Sequence, residues 1–318
     1  MLERELAQRI ELRQLLYFVT VVKEHSFSRA AEVLNMGQPG LSGQIKKLED
    51  AVGIILLERT AKGVKPTEAG QQLLAYAQRI LNELKLAERS MDEIREVTTG
   101  HVILGVTSAS TFSHLAAIIE EYRRLYPRVQ LQIVELPTET LVESVRMGLL
   151  DLTLSVLPVE VEELEVEHLY SENLRLIVSS RHRLADRASR GEKVKLPELL
   201  GEPLVLPYRQ YGIRQQIEHA YNLFGMKVQT SIELMGIGVA VQLARRGLGI
   251  TFLPELLVAD EVRLGELVCL TVEEPDLIMR TGLLFRRDAY LPPACRRMVE
   301  VIQRVCRLQN PDQVQANG

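Results

Sequence analysis

The sequence predicts a multidomain chain: an N-terminal, all-α winged helix-turn-helix, a long linker helix, and an α/β C-terminal half. Three observations predict it. Residues 26–66 read as two short helices joined by a tight turn and followed by a basic hairpin. Residues 73–94 carry an unbroken seam of apolar and alanine side chains at alternating four- and three-residue spacing. From residue 101 onward, strand-like and helix-like segments alternate.

The head is read first. Leu12, Leu15, Leu16, Phe18, Val19 and Val22 recur at three- and four-residue steps, so the first helix has one apolar face. Ser26 and Phe27 interrupt it. Ser28 is placed to cap a second helix over residues 29–34, where Ala30 and Ala31 allow close packing. Asn35, Met36 and Gly37 form the turn, because Asn and Gly tolerate the left-handed conformation of a sharp helix stop. Pro39 suits the first turn of a third helix over residues 38–51. Leu41, Ile45 and Leu48 face inward there, leaving Ser42, Gly43, Gln44, Lys46 and Lys47 outward. Residues 54–57 read as a short strand, residues 59–63 as a basic tip, and Val64 and Lys65 as the return. Two helices at such a turn place the second in a major groove, and a wing reaches backbone or minor groove. In that geometry Gln38, Pro39 and Ser42 approach base edges. Arg29 and Lys46 lie near phosphates, Ser28 joins the DNA-binding set, and Arg59 and Lys62 serve the wing.

Thr67 caps the linker helix, which runs without proline through residue 98 and spans about 48 Å at 1.5 Å per residue. Leu73, Ala77, Ile80, Leu84, Ala87, Met91 and Ile94 form its heptad seam. A single helix projecting from a small head cannot bury such a seam alone. Its partner is a second copy, giving a dimer with two heads, or else the C-terminal domain of the same chain.

In the C-terminal half, residues 101–106, 129–136 and 151–156 read as strands, and residues 113–125 and 139–149 as helices. The motif Gly236-Ile237-Gly238 lacks the third glycine and the acidic partner of a dinucleotide fingerprint. No catalytic signature of the GxSxG, HExxH or Walker type occurs.

With 318 residues, 46% apolar and 25% charged, the chain can bury a sizeable core. No apolar run is long enough to span a membrane, and residues 1–11 alternate charges with Leu and Ile, unlike a signal peptide. A cytoplasmic protein is expected. The net charge of −4 is unevenly spread: residues 28–65 hold six basic and four acidic side chains, a local +2 against −6 elsewhere. Phosphate attraction is local, since screening ends it within about 10 Å at ordinary salt. The acidic stretch over residues 159–167 reads as a solvated face or loop and not as a metal site. Cys269, Cys295 and Cys306 form an odd set with no paired spacing, which suits a reducing compartment and a filling role in the core.

The stretches SFSRAAEVLNMGQPGLSGQIKKLE and LLERTAKGVKPTEAG, with the layout of the whole chain, resemble the LysR-type transcriptional regulators over residues 11–306. The resemblance implies a DNA-binding domain over residues 1–66, a dimerisation helix over 67–99, an effector-binding domain over 100–306 and a tail over 307–318. The effector domain is expected to have the two-lobed shape of periplasmic solute-binding proteins. Its first lobe takes residues 101–170 and 275–306, and its second takes 171–274. A small effector, an anionic or aromatic metabolite, is expected between them, with no cofactor or metal. Hydroxyls in the family's strand-to-helix loops commonly hold a carboxylate, which points to Ser108, Ser110 and Thr138. Tyr208, Arg209 and Tyr211 precede the helix near Ile213, and of these Arg209 and Tyr211 are chosen to supply charge and a ring. Met235, Gly236 and Phe252 are weaker candidates. Expected partners are double-stranded DNA, further copies of the chain as dimer or tetramer, and RNA polymerase. Two departures stand out: Gly37 replaces the usual Ser or Thr cap, and Gly43 replaces a long side chain. The cysteines do not match the closely spaced pair of the family's redox-sensing branch, so peroxide sensing through a disulfide is not expected. The competing classes are a ligand-binding or transport-associated protein and an enzyme with a regulatory domain.

Overall fold

The structure, a computed structural model, describes residues 10–60, 63–95, 100–108, 114–287 and 289–309. It divides into an N-terminal unit ending at Met91 and a C-terminal unit from Asp92. Among the described residues, no helix is long and apolar enough to cross a membrane.

Three helices, α1 (Leu12–Glu24), α2 (Phe27–Val33) and α3 (Gln38–Val52), build the head. Leu15, Phe18, Val21, Val22, Ala30, Ala31, Leu41, Ile45 and Leu48 form its core. The buried face of α1 is rotated from the expected one. Leu12 and Leu16 are exposed, whereas Gln14, Thr20 and Val21 are buried. Polar residues enter that face because they are bonded. The Glu11 backbone N–H donates to Gln14 Oε1 at 3.0 Å, and Thr20 Oγ1 donates to the Leu16 carbonyl at 2.8 Å.

The cap of α2 also differs. Ser26, not Ser28, sits at the N-cap with extended backbone, and its hydroxyl accepts the Arg29 N–H. Ser28 falls inside the first turn. In the following turn Asn35 takes the left-handed conformation (φ 51°). Gly37 does not need it: φ is −74°, and it serves as the N-cap of α3 with no side-chain bond.

The wing is shifted along the chain. Its strands are β1 (Leu57–Thr60) and β2 (Gly63–Pro66), antiparallel from Leu57↔Pro66 to Thr60↔Gly63. Of the strand expected at residues 54–57 only Leu57 belongs to it. Ile54 and Ile55 are exposed in a connector, while Leu56 is buried. Glu49 fastens this connector by accepting the Leu56 and Leu57 N–H groups at 2.9 and 3.2 Å. The tip residue Lys62 lies outside the described residues.

Helix α4 (Glu68–Arg95) follows, capped by the Thr67 hydroxyl, which accepts the Gly70 N–H at 3.0 Å. The start of the expected seam belongs to the head: Ala77 is fully buried in its core and Leu73 packs against it. Beyond that point Ile80, Leu84, Ala87 and Met91 are exposed. The side chain of Ile94 lies outside the description.

The C-terminal unit contains β3 (His101–Val106), α5 (Leu115–Leu125), β4 (Gln130–Glu135), α6 (Thr138–Arg146), β5 (Leu152–Leu157) and the 16-residue β6 (Leu164–Ser179). Next come β7 (Leu204–Pro207), α7 (Gly212–Leu223), β8 (Thr230–Leu234), α8 (Ile237–Arg245), β9 (Thr251–Pro254), β10 (Leu267–Leu270), β11 (Ile278–Arg286) and α9 (Pro293–Gln309). The main sheet runs β10-β6-β11-β5-β3-β4, with β9 also on β6. β3 is parallel to β4 and β5, the βαβ handiwork expected from alternating strands and helices.

β6 is long enough to serve two lobes. Its first part, through Asn173, pairs with β11, and Leu174–Ile177 pairs with Thr251–Pro254 of β9. Its end pairs with β10. One lobe has two cores, one on each face of its sheet: Leu104, Ile118, Tyr122, Met298 and Ile302 on one side, and Leu141, Val145, Leu164 and Leu284 on the other. The second lobe has its own core of Leu176, Val178, Ile217, Phe252 and Leu267.

Candidate nucleic-acid interface and interlobe site

The head brings most of its candidate residues onto one surface. Gln38 and Pro39 open α3 and are exposed, as are Ser28, Arg29, Lys46 and Arg59. Ser28, Arg29, Gln38 and Arg59 line one groove of about 450 Å³. Ser42, Lys46 and Arg59 line a second one of about 610 Å³, which shares Phe27 and Arg59 with the first. Ser28 Oγ donates to Gln38 Oε1 at 3.3 Å, linking the starts of α2 and α3.

Two positioning residues were not legible as such. The Arg59 guanidinium lies 5.3 Å from the centroid of the Phe27 ring. Such a contact is worth about 0.5–1 kcal/mol at an exposed site and holds the cation beside α2. The wing itself is docked on the α1–α2 turn, because the Val64 N–H donates to the His25 carbonyl at 2.9 Å. Gly63 permits this: its φ is 118°, and a Cβ there would stand 2.5 Å from that carbonyl oxygen. A clue was present in the sequence, since an aromatic residue interrupts the polar start of α2 while a glycine sits in the hairpin.

In the C-terminal unit, Ser108 follows β3, Thr138 opens α6, and Tyr211 is the N-cap of α7. All three are buried. The lobes meet here. The Gly212 N–H donates to Thr138 Oγ1 at 3.2 Å, Gln215 Nε2 donates to Glu139 Oε1 at 3.3 Å, and Gln216 Nε2 to the Leu157 carbonyl at 3.1 Å. Gly212 is required by this approach, since a Cβ would lie 2.7 Å from Val156 Cβ. Two helix N-termini therefore converge, where free N–H groups favour an anion or a hydroxyl oxygen. Ser108 Oγ donates to Glu135 Oε1. Burial raises the Tyr211 phenol above its ordinary value, and the Glu135 charge adds to the shift. Tyr170 stacks on His114, with centroids 4.2 Å apart, and burial holds that imidazole below its usual value.

Arg209 does not join this group. Its side chain is 77% exposed and pairs with Glu218 at 3.2 Å. The buried cation is Arg214, 1% exposed, whose Nε donates to Glu218 at 2.8 Å and whose Nη1 donates to the Pro207 carbonyl at 3.3 Å. Helical phase explains the difference: position 214 turns into the lobe, whereas 209 precedes the helix and stays at the surface. Ser110 lies outside the described residues. Gly236 is the N-cap of α8, a structural reading that suits the incomplete glycine motif. Among the described residues no cluster of His, Cys, Asp and Glu has metal-binding geometry.

A basic winged helix-turn-helix joined through a long helix to a two-lobed α/β unit defines a class, the DNA-binding regulator with a sensor domain. The comparisons give the family. A model of the LysR substrate binding domain matches residues 95–307, and one of the bacterial regulatory helix-turn-helix protein, lysR family, matches residues 12–71. The chain is 33% identical over 296 residues to the HTH-type transcriptional regulator YnfL of Escherichia coli (strain K12), covering 90% of this chain and 96% of that one. It is 30% identical over 278 residues to the hydrogen peroxide-inducible genes activator of Dickeya chrysanthemi, covering 87% and 90%. Full-length CbnR complexed with its target DNA superposes with a TM-score of 0.64 at 22% identity, covering 93% of this chain and all of that one. The chain belongs to the LysR family of bacterial transcriptional regulators. It is a DNA-binding transcriptional regulator with an effector-binding domain, and the family is one of regulators rather than enzymes.

Proposed function

We propose that this regulator acts in the cytoplasm as a dimer, pairing further into a tetramer, that reads an interrupted palindrome. The grouping of Ser28, Arg29, Gln38 and Arg59 along one groove carries this reading. Gln38, Pro39 and Ser42 address base edges and thymine methyls. Ser28, Arg29 and Lys46 address phosphates, and Arg59 and Lys62 hold the wing to the duplex. The dimer forms through the exposed part of the α4 seam, from Ile80 onward. A small metabolite binds between the lobes at Ser108, Thr138 and Tyr211. A carboxylate suits the two converging helix starts, its oxygen taking the Gly212 N–H that Thr138 now holds. Lobe movement, passed through α4, sets the spacing of the heads and the contact with RNA polymerase.

Gel-shift titration against the protein's own upstream region tests the DNA assignment. Gln38→Ala is expected to weaken specific binding far more than non-specific binding. Lys46→Ala weakens both and lowers the salt slope by about one. Equal effects from the two substitutions would remove the division between base and phosphate contacts. A folded dimer with no salt-sensitive, sequence-selective complex would remove the reading as a whole.

A further inference from the structure

The far pole of the second lobe carries a cleft that neither the head nor the interlobe site explains. Its volume is about 860 Å³, within the range of small-molecule sites. Ser179 at the end of β6 and residues 180–183 of the following turn form one wall. Arg245, Arg246 and Gly247 at the end of α8 form another, and Glu202, Gly265 and Glu266 complete the lining. At about 3.3 Å per residue, Ser179 lies roughly 20 Å along β6 from Asn173, where that strand leaves β11.

The charges of this cleft do not cancel. Arg183 is committed to Glu202 at 2.6 Å, and Arg245 to Glu266 at 3.1 Å. Burial pushes the Glu202 carboxyl up, but hydrogen bonds from His182 and Arg183 more than offset it, so the group sits below the ordinary carboxylate value. His182 Nδ1 accepts the Leu184 N–H at 3.3 Å and its Nε2 lies 3.1 Å from Glu202, so both ring nitrogens are engaged within the wall. That leaves Arg181 and Arg246, both exposed, with no ion pair among the described residues. The buried Ser179 hydroxyl also lines the cleft. It accepts the Arg181 N–H at 3.4 Å, which leaves its own proton to donate.

We propose that this cleft is a second ligand site, for a small anion carrying at least two negative charges, an organic phosphate or a polycarboxylate. Guanidinium groups present paired donors that match phosphate and carboxylate oxygens. Arg183 and Arg245, anchored by their carboxylates, shape the walls. Arg181 and Arg246 supply the charge, and a bound anion offsets the positive potential they give the cleft.

The test titrates the full-length protein with pyrophosphate and, separately, with citrate, at ionic strength held constant with sodium chloride. Thermal unfolding and calorimetry follow binding. The expected result is a saturable rise in melting temperature with at least one probe. Affinity falls at least tenfold in the Arg181→Ala/Arg246→Ala double variant, whose own melting temperature stays near that of the parent. Ser179→Ala weakens binding to a smaller degree and gives an independent check. A stronger response to pyrophosphate assigns a phosphate ligand, and a stronger response to citrate assigns a carboxylate. No saturable response to either probe, or an equal response in the double variant, overturns the proposal.

Discussion

Gly43 occupies an outward position in the middle of α3, and a Cβ there would meet nothing within 4 Å. Glycine in a helix interior costs about 1 kcal/mol against alanine, and no steric gain offsets it here. Gly43→Ala is expected to raise stability by about that amount in urea unfolding, with the specific DNA complex retained. A stabilised variant that no longer forms the specific complex would show that the bare backbone serves a close approach to DNA. The cysteines invite a second prediction, because one relative is a hydrogen peroxide-inducible activator. Burial pushes the Cys269 and Cys306 thiols up to about 12, and Cys295 is fully buried. Glu255 beside Cys269 and Glu167 beside Cys306 add to those shifts. The thiolate is the reactive form, so peroxide is expected to leave the gel-shift pattern unchanged. A peroxide effect that dithiothreitol reverses and Cys→Ser variants lose would contradict this. At this scale the sequence is least decisive. The sequence reading places the cap at Ser28, and backbone geometry gives it to Ser26, whose hydroxyl accepts the Arg29 N–H.

Helix α4 shows what elements add. Periodicity alone assigns seven positions to one seam, and packing divides them. Ala77 is enclosed by the head, whereas Ile80 and Leu84 present their side chains outward. Ile80→Glu/Leu84→Glu is therefore expected to convert the dimer to monomer in sedimentation equilibrium, with helical content nearly unchanged. Ala77→Glu is expected to unfold the head instead, since it forces an unpaired charge into a filled core. A double variant that remains dimeric would move the interface elsewhere. Elements with strong periodicity were legible to within a few residues: α3, α4, β3 and β5 fall where their patterns place them. The wing slipped by three residues because Ile54 and Ile55 mimic a strand. Their segment is held instead by Glu49, a contact between residues too far apart for local pattern to reveal. The rotated face of α1 has the same origin, since side-chain bonds let Gln14 and Thr20 share the core.

At the scale of the molecule, the two lobes are joined by backbone as well as by side chains. The Gly212 N–H donates to Thr138 Oγ1 across the site proposed for the effector. Thr138→Val keeps the shape and leaves the Gly212 N–H without its acceptor, a loss of roughly 1–3 kcal/mol for a buried donor. The variant is expected to lose the ligand response while binding DNA with parental affinity. An unchanged response in a gel shift with the inducing metabolite would discard this site. The two-lobed layout was legible only through family resemblance. Alternating strands and helices announce an α/β unit, but they do not say which strand passes from one lobe to the other.

The place of β11 in the sheet carries a consequence for biogenesis. β11 lies between β5 and β6 in the sheet, yet it is synthesised after every strand of the second lobe. A nascent chain that has not reached Ile278 holds β3, β4 and β5 with no partner to tie them to β6. The second lobe, by contrast, already has β6, β9 and β10 in hand. The lobe begun first on the ribosome is thus completed after the second, and its exposed sheet edge waits for β11 at Ile278–Arg286.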